Sequence, residues 1–185
     1  MGGGHGAGRG ARVTTVPRTV SLPDGSPLRE LERPTLVVLL RSFGCTFCRE
    51  ALADVAKLKQ RIRDAGADIV FVHSEPHAEA APWFSKYGLD DVLHIADPSL
   101  AHYRAFGLGR THATSMVNPG VWTRGAISAL AHGFGAQTAE MMRRQPGVFV
   151  LKGDRILAEH RHKTPADRPD YLALVDAGRA DHVGG

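Results

Sequence analysis

The chain has 185 residues, 43% of them apolar and 23% charged, with a formal charge of +4 at pH 7. Those proportions suit one globular domain and exclude disorder as the dominant state. Lys and Arg are scattered rather than gathered into a stripe, which argues against a nucleic-acid reader, and no apolar run approaches the roughly 20 residues that a membrane-spanning helix needs.

Residues 1–12 are rich in glycine and carry nothing to bury, so a mobile tail is expected ahead of a domain over residues 13–180. The start has no hydrophobic core of a signal peptide, and the expectation is a cytoplasmic protein. Residues 13–22 read as a peripheral strand or two, broken by Pro17. The unbroken apolar run 35–40 has the pattern of a strand buried on both faces of a sheet. Leu52, Val55 and Ile62 then recur at helical spacing, with Gly66 as a C-cap. A strand over 69–73, a helix over 78–87 closed by Gly88, and a strand over 92–95 follow. Asp97-Pro98 is expected to open a helix that runs to about residue 106. Residues 112–144 form an irregular insertion with a short amphipathic helix over 122–130. A hairpin pairs 147–151 with 156–160, and a last helix covers 169–177. The order β-α-β-α-β-α, then hairpin and helix, gives one α/β domain.

The chain has two cysteines, Cys45 and Cys48, placed where the buried strand gives way to a helix. A pair this close removes little entropy from the unfolded chain and is a poor staple. At a helix N-terminus the free N–H groups favour an anion, and Arg41 and Arg49 flank the pair, so Cys45 is expected to be the thiolate nucleophile and Cys48 the resolving thiol. Two other assignments compete: both cysteines as small core side chains, or a metal-bound pair. The second lacks a further Cys-x-x-Cys or His-x-x-x-His to complete four ligands, and His160 and His162 are too closely spaced for a finger. Those two are read as capping a strand end, with one ring facing solvent.

Strand, Cys-x-x-Cys, helix and a later proline before a hairpin together resemble the thioredoxin superfamily. More narrowly, residues 39–50 (LLRSFGCTFCRE), 96–108 (ADPSLAHYRAFGL) and 145–151 (QPGVFVL), with His160-Arg161 and residues 167–171, resemble the peroxiredoxin-like branch of the AhpC/TSA proteins. The resemblance implies a thioredoxin-like α/β fold, a central mixed β-sheet flanked by helices on both faces. It also implies a thiol-dependent oxidoreductase without a bound cofactor. The substrate would be a disulfide or a peroxide, and a thioredoxin- or glutaredoxin-like protein or glutathione would reset the pair. A monomer or homodimer with no membrane span completes the expectation.

The departures from that pattern sharpen it. Ser42 stands where typical peroxiredoxins carry a threonine. The expected arginine before the fourth strand is replaced by Pro146, the slot that holds a cis-proline in thioredoxins, so a cis Gln145–Pro146 bond is expected. Dithiol exchange is accordingly placed ahead of peroxide reduction. The buried carboxylate of thioredoxins is missing from residues 36–40, and Glu50 is read as a solvated first-turn acid. Trp83 and Phe84 are expected to pack a helix onto the sheet. His73, on the same sheet edge as the cysteines, is the histidine to test, and the segment around Trp122, Ile127 and Leu130 is either a lid or groove for an apolar substrate or a surface contact.

Overall fold

The computed structural model describes residue 15, residues 20–110 and residues 119–183; the proposed tail, most of 13–19 and the start of the irregular insertion lie outside the described residues. Five strands form one mixed sheet: β1 (Thr35–Leu39), β2 (Asp68–His73), β3 (Leu93–Ala96), β4 (Gly147–Lys152) and β5 (Arg155–Arg161), in the order β3-β2-β1-β4-β5. β1 pairs parallel with β2 and antiparallel with β4, placing Val38 opposite Phe71 and Val37 opposite Phe149.

The unbroken apolar character of β1 follows from its central position. Leu36, Val38 and Leu40 enter one core with Leu52, Val55 and Ile62 of α1 (Thr46–Asp64) and Tyr171 and Val175 of α6 (Tyr171–Val183). Val37 and Leu39 enter the other, with Val20, Leu28, Tyr103 and Phe106. Successive side chains of a strand point to opposite faces, so a strand covered on both sides is apolar at consecutive positions, here 36–39, with Thr35 at its start satisfied by the Arg33 carbonyl. Phe84 of α2 (His77–Lys86) is buried edge-on against Phe71, as expected for a helix packed on the sheet. Gly66, Gly88 and Gly107 each have positive φ just beyond a helix, where glycine alone turns without strain.

Three readings of the sequence are corrected. The helix expected from Asp97-Pro98 starts later, as α3 (Ala101–Ala105), because Leu100 takes a left-handed conformation (φ 57°) and the Asp97 carboxylate accepts the N–H groups of Ala101 (2.9 Å) and His102 (2.8 Å). The helix around Trp122 is longer, α4 (Pro119–His132), and is followed by a short α5 (Ala139–Arg143) that no periodicity announced. All described peptide bonds are trans, Gln145–Pro146 included. The missing N–H of Pro146 costs the ladder nothing, since its carbonyl still accepts the His162 N–H at 3.2 Å where β4 begins. No helix among the described residues is long and apolar enough to cross a membrane.

Candidate active site

The chain leaves β1 at Leu40, whose carbonyl accepts the Tyr103 hydroxyl, and turns through residues 41–45 into α1. Cys45 is the N-cap of α1 and the Cys45 N–H donates to the Ser42 carbonyl at 3.2 Å, closing the turn. The turn needs Gly44. A Cβ there would lie 2.3 Å from the Ala136 carbonyl oxygen, because the segment after α4 crosses directly over it and the Gly135 N–H donates to the Gly44 carbonyl at 3.0 Å.

Both cysteines are free thiols within this turn and are almost wholly buried, Cys45 2% and Cys48 4% exposed. Arg41, itself buried, points Nη2 at Cys45 Sγ (2.9 Å), holds the Met142 carbonyl with Nη1 (2.9 Å), and donates its backbone N–H to Cys48 Sγ (3.2 Å). The thiol pKa of Cys45 is lowered to about 6, first by a hydrogen bond from the Cys48 thiol and then, against the opposing cost of burial, by the Arg41 charge. Cys48 is pushed the other way, by its hydrogen bond to Cys45 and by burial. At neutral pH the pair is therefore one thiolate and one thiol. Of the helix amides, the Cys48 N–H lowers the Cys45 pKa further, behind the Cys48 thiol and the Arg41 charge.

The other candidate residues divide. Arg49 does not reach the sulfurs. Its position next to Cys48 on the helix turns it to another side, where Nε donates to the Phe43 carbonyl (2.6 Å), Nη1 to the His132 carbonyl (3.1 Å), and the guanidinium stacks on Trp83. The Ser42 hydroxyl faces Gln137 Oε1 at 3.5 Å rather than Cys45. Gln145 ties loops together, its N–H donating to the Gly109 carbonyl and its Nε2 to the His162 carbonyl. Pro146 lines a small cavity with both cysteines. Glu50 is no solvated acid: it pairs with Arg124 (2.6 Å) and Arg168 (3.8 Å). His73 is buried against the Glu75 carbonyl and His94 Nδ1 (2.9 Å each), and burial lowers its pKa to about 4. Its ring partners are not the sulfurs.

Two cavities meet Cys45. The smaller, about 20 Å³, is lined by Arg41, Cys45, Cys48, Pro146, His162 and Tyr171. The larger, about 330 Å³, is an apolar groove between the cysteine turn and α4, walled by Phe47, Val121, Trp122, Ala129, Phe134 and Met142. α4 is held over the site by Thr46 Oγ1 donating to Ser128 Oγ (3.0 Å), by Arg124 on Glu50, and by Arg49 on the His132 carbonyl. Sequence reasoning missed His162 as a neighbour of the cysteines. The signal was the hairpin register: Gly147 pairs with Arg161, so the residue after Arg161 returns beside Pro146. Among the described residues, no three His, Cys, Asp or Glu side chains gather as a metal site requires.

Residues 54–164 match the family described as AhpC/TSA antioxidant enzyme, a span that begins just after Cys48. Curated relatives include a prostamide/prostaglandin F synthase from Danio rerio, 24% identical over 79% of this chain and 74% of that protein. Another is peroxiredoxin-like 2A from Xenopus tropicalis, 27% identical over 78% of this chain and 63% of that protein. Among solved structures, reduced Prx3 from Vibrio vulnificus in complex with hydrogen peroxide superposes with a TM-score of 0.62 at 16% identity, covering 90% of this chain and 98% of that one. At that identity the likeness concerns the fold: a mixed sheet flanked by helices, of the thioredoxin-like, peroxiredoxin type.

Proposed function

The chain belongs to the AhpC/TSA antioxidant enzyme family, and from that premise we propose that it is a thiol peroxidase in which Cys45 attacks the peroxide and Cys48 resolves the product. The observation that carries this reading is the Cys45 sulfur held 2.9 Å from Arg41 Nη2 at the floor of a groove, with 2% of the residue exposed. A peroxide oxygen passes down such a groove with α4 in place, whereas a protein partner reaches the sulfur only once α4 moves aside, as a reductant of the Cys45–Cys48 disulfide must. Burial therefore reverses the order of the two readings drawn from the sequence.

The Cys45 thiolate attacks the terminal peroxide oxygen, the O–O bond breaks, and the departing alkoxide takes a proton and leaves as alcohol or water. Arg41 stabilises the thiolate and stands beside the oxygen on which charge develops. Cys48 then attacks the Cys45 sulfenic sulfur, the S–O bond breaks, water leaves, and a Cys45–Cys48 disulfide forms. An external thiol, from a thioredoxin- or glutaredoxin-like protein or glutathione, returns both sulfurs to the reduced state.

Mixing the reduced protein with an equimolar amount of hydrogen peroxide tests this. Mass spectrometry is expected to find one intramolecular disulfide, no reaction beyond background in Cys45→Ser, and a trapped sulfenic acid on Cys45 in Cys48→Ser. Oxidation of Cys45→Ser as fast as the unaltered protein overturns the reading. If oxidised glutathione forms the disulfide faster than peroxide does, disulfide exchange is the reaction instead.

A further inference from the structure

The resolving step requires a proton acceptor. Cys48 must lose its proton before its sulfur attacks, yet it is buried, β1 (TLVVL) carries no carboxylate, and its Arg41 N–H partner only donates. Five of the residues lining the small cavity can titrate: Arg41, Cys45, Cys48, Tyr171 and His162. Arg41 is a permanent cation, Cys45 carries the sulfur under attack, and burial holds the Tyr171 phenol firmly protonated. His162 remains. It is 8% exposed and its Nδ1 is buried without a hydrogen-bond partner. The His162 N–H donates to the Pro146 carbonyl, and its own carbonyl accepts Gln145 Nε2, so its backbone is fixed from the β4 side. The charged and titratable groups facing it are His160 on β5, Asp167 in the following loop, Arg41 after β1 and Arg124 on α4. Burial lowers its pKa to about 4, which leaves the ring neutral at pH 7.

We propose that His162 takes the proton of the Cys48 thiol, across the cavity the two side chains share, as Cys48 attacks the oxidised Cys45. The inference rests on the Cys45–Cys48 reading above. In the step, the Cys48 S–H bond breaks and its proton passes to the imidazole. The S–S bond forms as the Cys45 S–O bond breaks, and the departing hydroxide recovers the proton from the imidazolium and leaves as water. One sulfur is oxidised and the other reduced, with no further reagent. The arrangement is poised for this step alone. Oxidation of Cys45 removes the thiolate whose hydrogen bond holds the Cys48 proton in place, and the Arg41 charge then favours a thiolate at Cys48. A thiolate forming there in turn favours imidazolium at His162.

The test is the rate of disulfide formation after Cys45 has been loaded, followed by rapid acid quench and mass spectrometry. Cys45 is loaded either as sulfenic acid with hydrogen peroxide or as a methylthio mixed disulfide with methyl methanethiosulfonate. With the base present the rate is expected to be nearly level between about pH 6 and pH 8, and His162→Gln is expected to be about 100-fold slower and to rise about tenfold per pH unit. In His162→Gly, which leaves room for it, added imidazole restores part of the rate. A His162→Gln variant that matches the unaltered protein in rate and profile overturns the proposal. So does an unaltered protein whose rate itself climbs tenfold per pH unit, a result that needs no variant to fold. If peroxide fails to oxidise Cys45, the peroxidase reading falls, while the methylthio arm still decides the role of His162.

Discussion

Arg41 joins the two sulfurs: its guanidinium holds Cys45, its backbone N–H holds Cys48, and its other Nη anchors the Met142 carbonyl. Lowering a thiol from 9.0 to about 6 is worth roughly 4 kcal/mol in favour of the thiolate. A charge-assisted hydrogen bond supplies about 1.5–3 kcal/mol of such an effect. Arg41→Met is therefore expected to raise the Cys45 pKa by about one to two units and to slow alkylation at pH 7 by about fivefold, read by iodoacetamide labelling; an unchanged rate contradicts the role given to Arg41. The identity of the pair was legible in the sequence because spacing, strand and helix are all local. So was Arg41, four residues before Cys45. Arg49 was misread because one step along a helix rotates a side chain by about 100°, enough to carry it from the sulfurs to Trp83. His162 was missed because its place beside Pro146 follows from the hairpin register, not from closeness to the cysteines along the chain.

At the scale of elements, α4 and the Asp97 carboxylate lie on opposite faces of the sheet and are each held by polar contacts. α4 covers Cys45 with Trp122 half in the groove (67% exposed) while turning Ile127 (70%) and Leu130 (90%) outward, so its apolar periodicity did not reveal which face packs on the site. Its tethers are few and polar. Arg124→Met removes the Glu50 pair, worth up to about 1 kcal/mol, and is expected to speed Cys45 alkylation by about threefold by loosening α4; slower or unchanged alkylation contradicts α4 as the cover. Asp97 works on the opposite face. Burial opposes its charge, but hydrogen bonds from His102, Ser99 and the first N–H groups of α3 bring its pKa down to about 2. A carboxyl lowered on folding adds stability that is present above its unfolded value near 3.8 and is lost as pH falls through about 2. Asp97→Ala is expected to cost about 1–2 kcal/mol in urea unfolding at pH 7, a difference that closes in strong acid.

For the whole molecule, the decisive feature is a central strand buried on both faces, which delivers the cysteine turn to the sheet edge where Pro146, His162 and α6 converge. The last helix is tied to the first through Arg168, just before α6, which grips Asp54 of α1 with two hydrogen bonds (2.7 and 2.6 Å). Phe71 of β2, fully buried against Phe84 of α2, is expected to cost about 3–5 kcal/mol on replacement by Ala, measured by urea unfolding. The α/β order and the run at β1 were readable because hydrophobic periodicity encodes them. The cover of the site was readable only as one of two alternatives for the segment around Trp122, because it depends on where residues 119–143 fold back and on the polar contacts that hold them there.

The most direct measurement is the pH dependence of Cys45 alkylation in the unaltered, reduced protein, with carbamidomethylation of Cys45 and Cys48 quantified separately. A thiolate held by the Cys48 thiol and Arg41 gives a half-maximal rate near pH 6 at Cys45 and almost no labelling of Cys48. A midpoint near 9, the value of an ordinary thiol, or equal labelling of both sulfurs, contradicts the account.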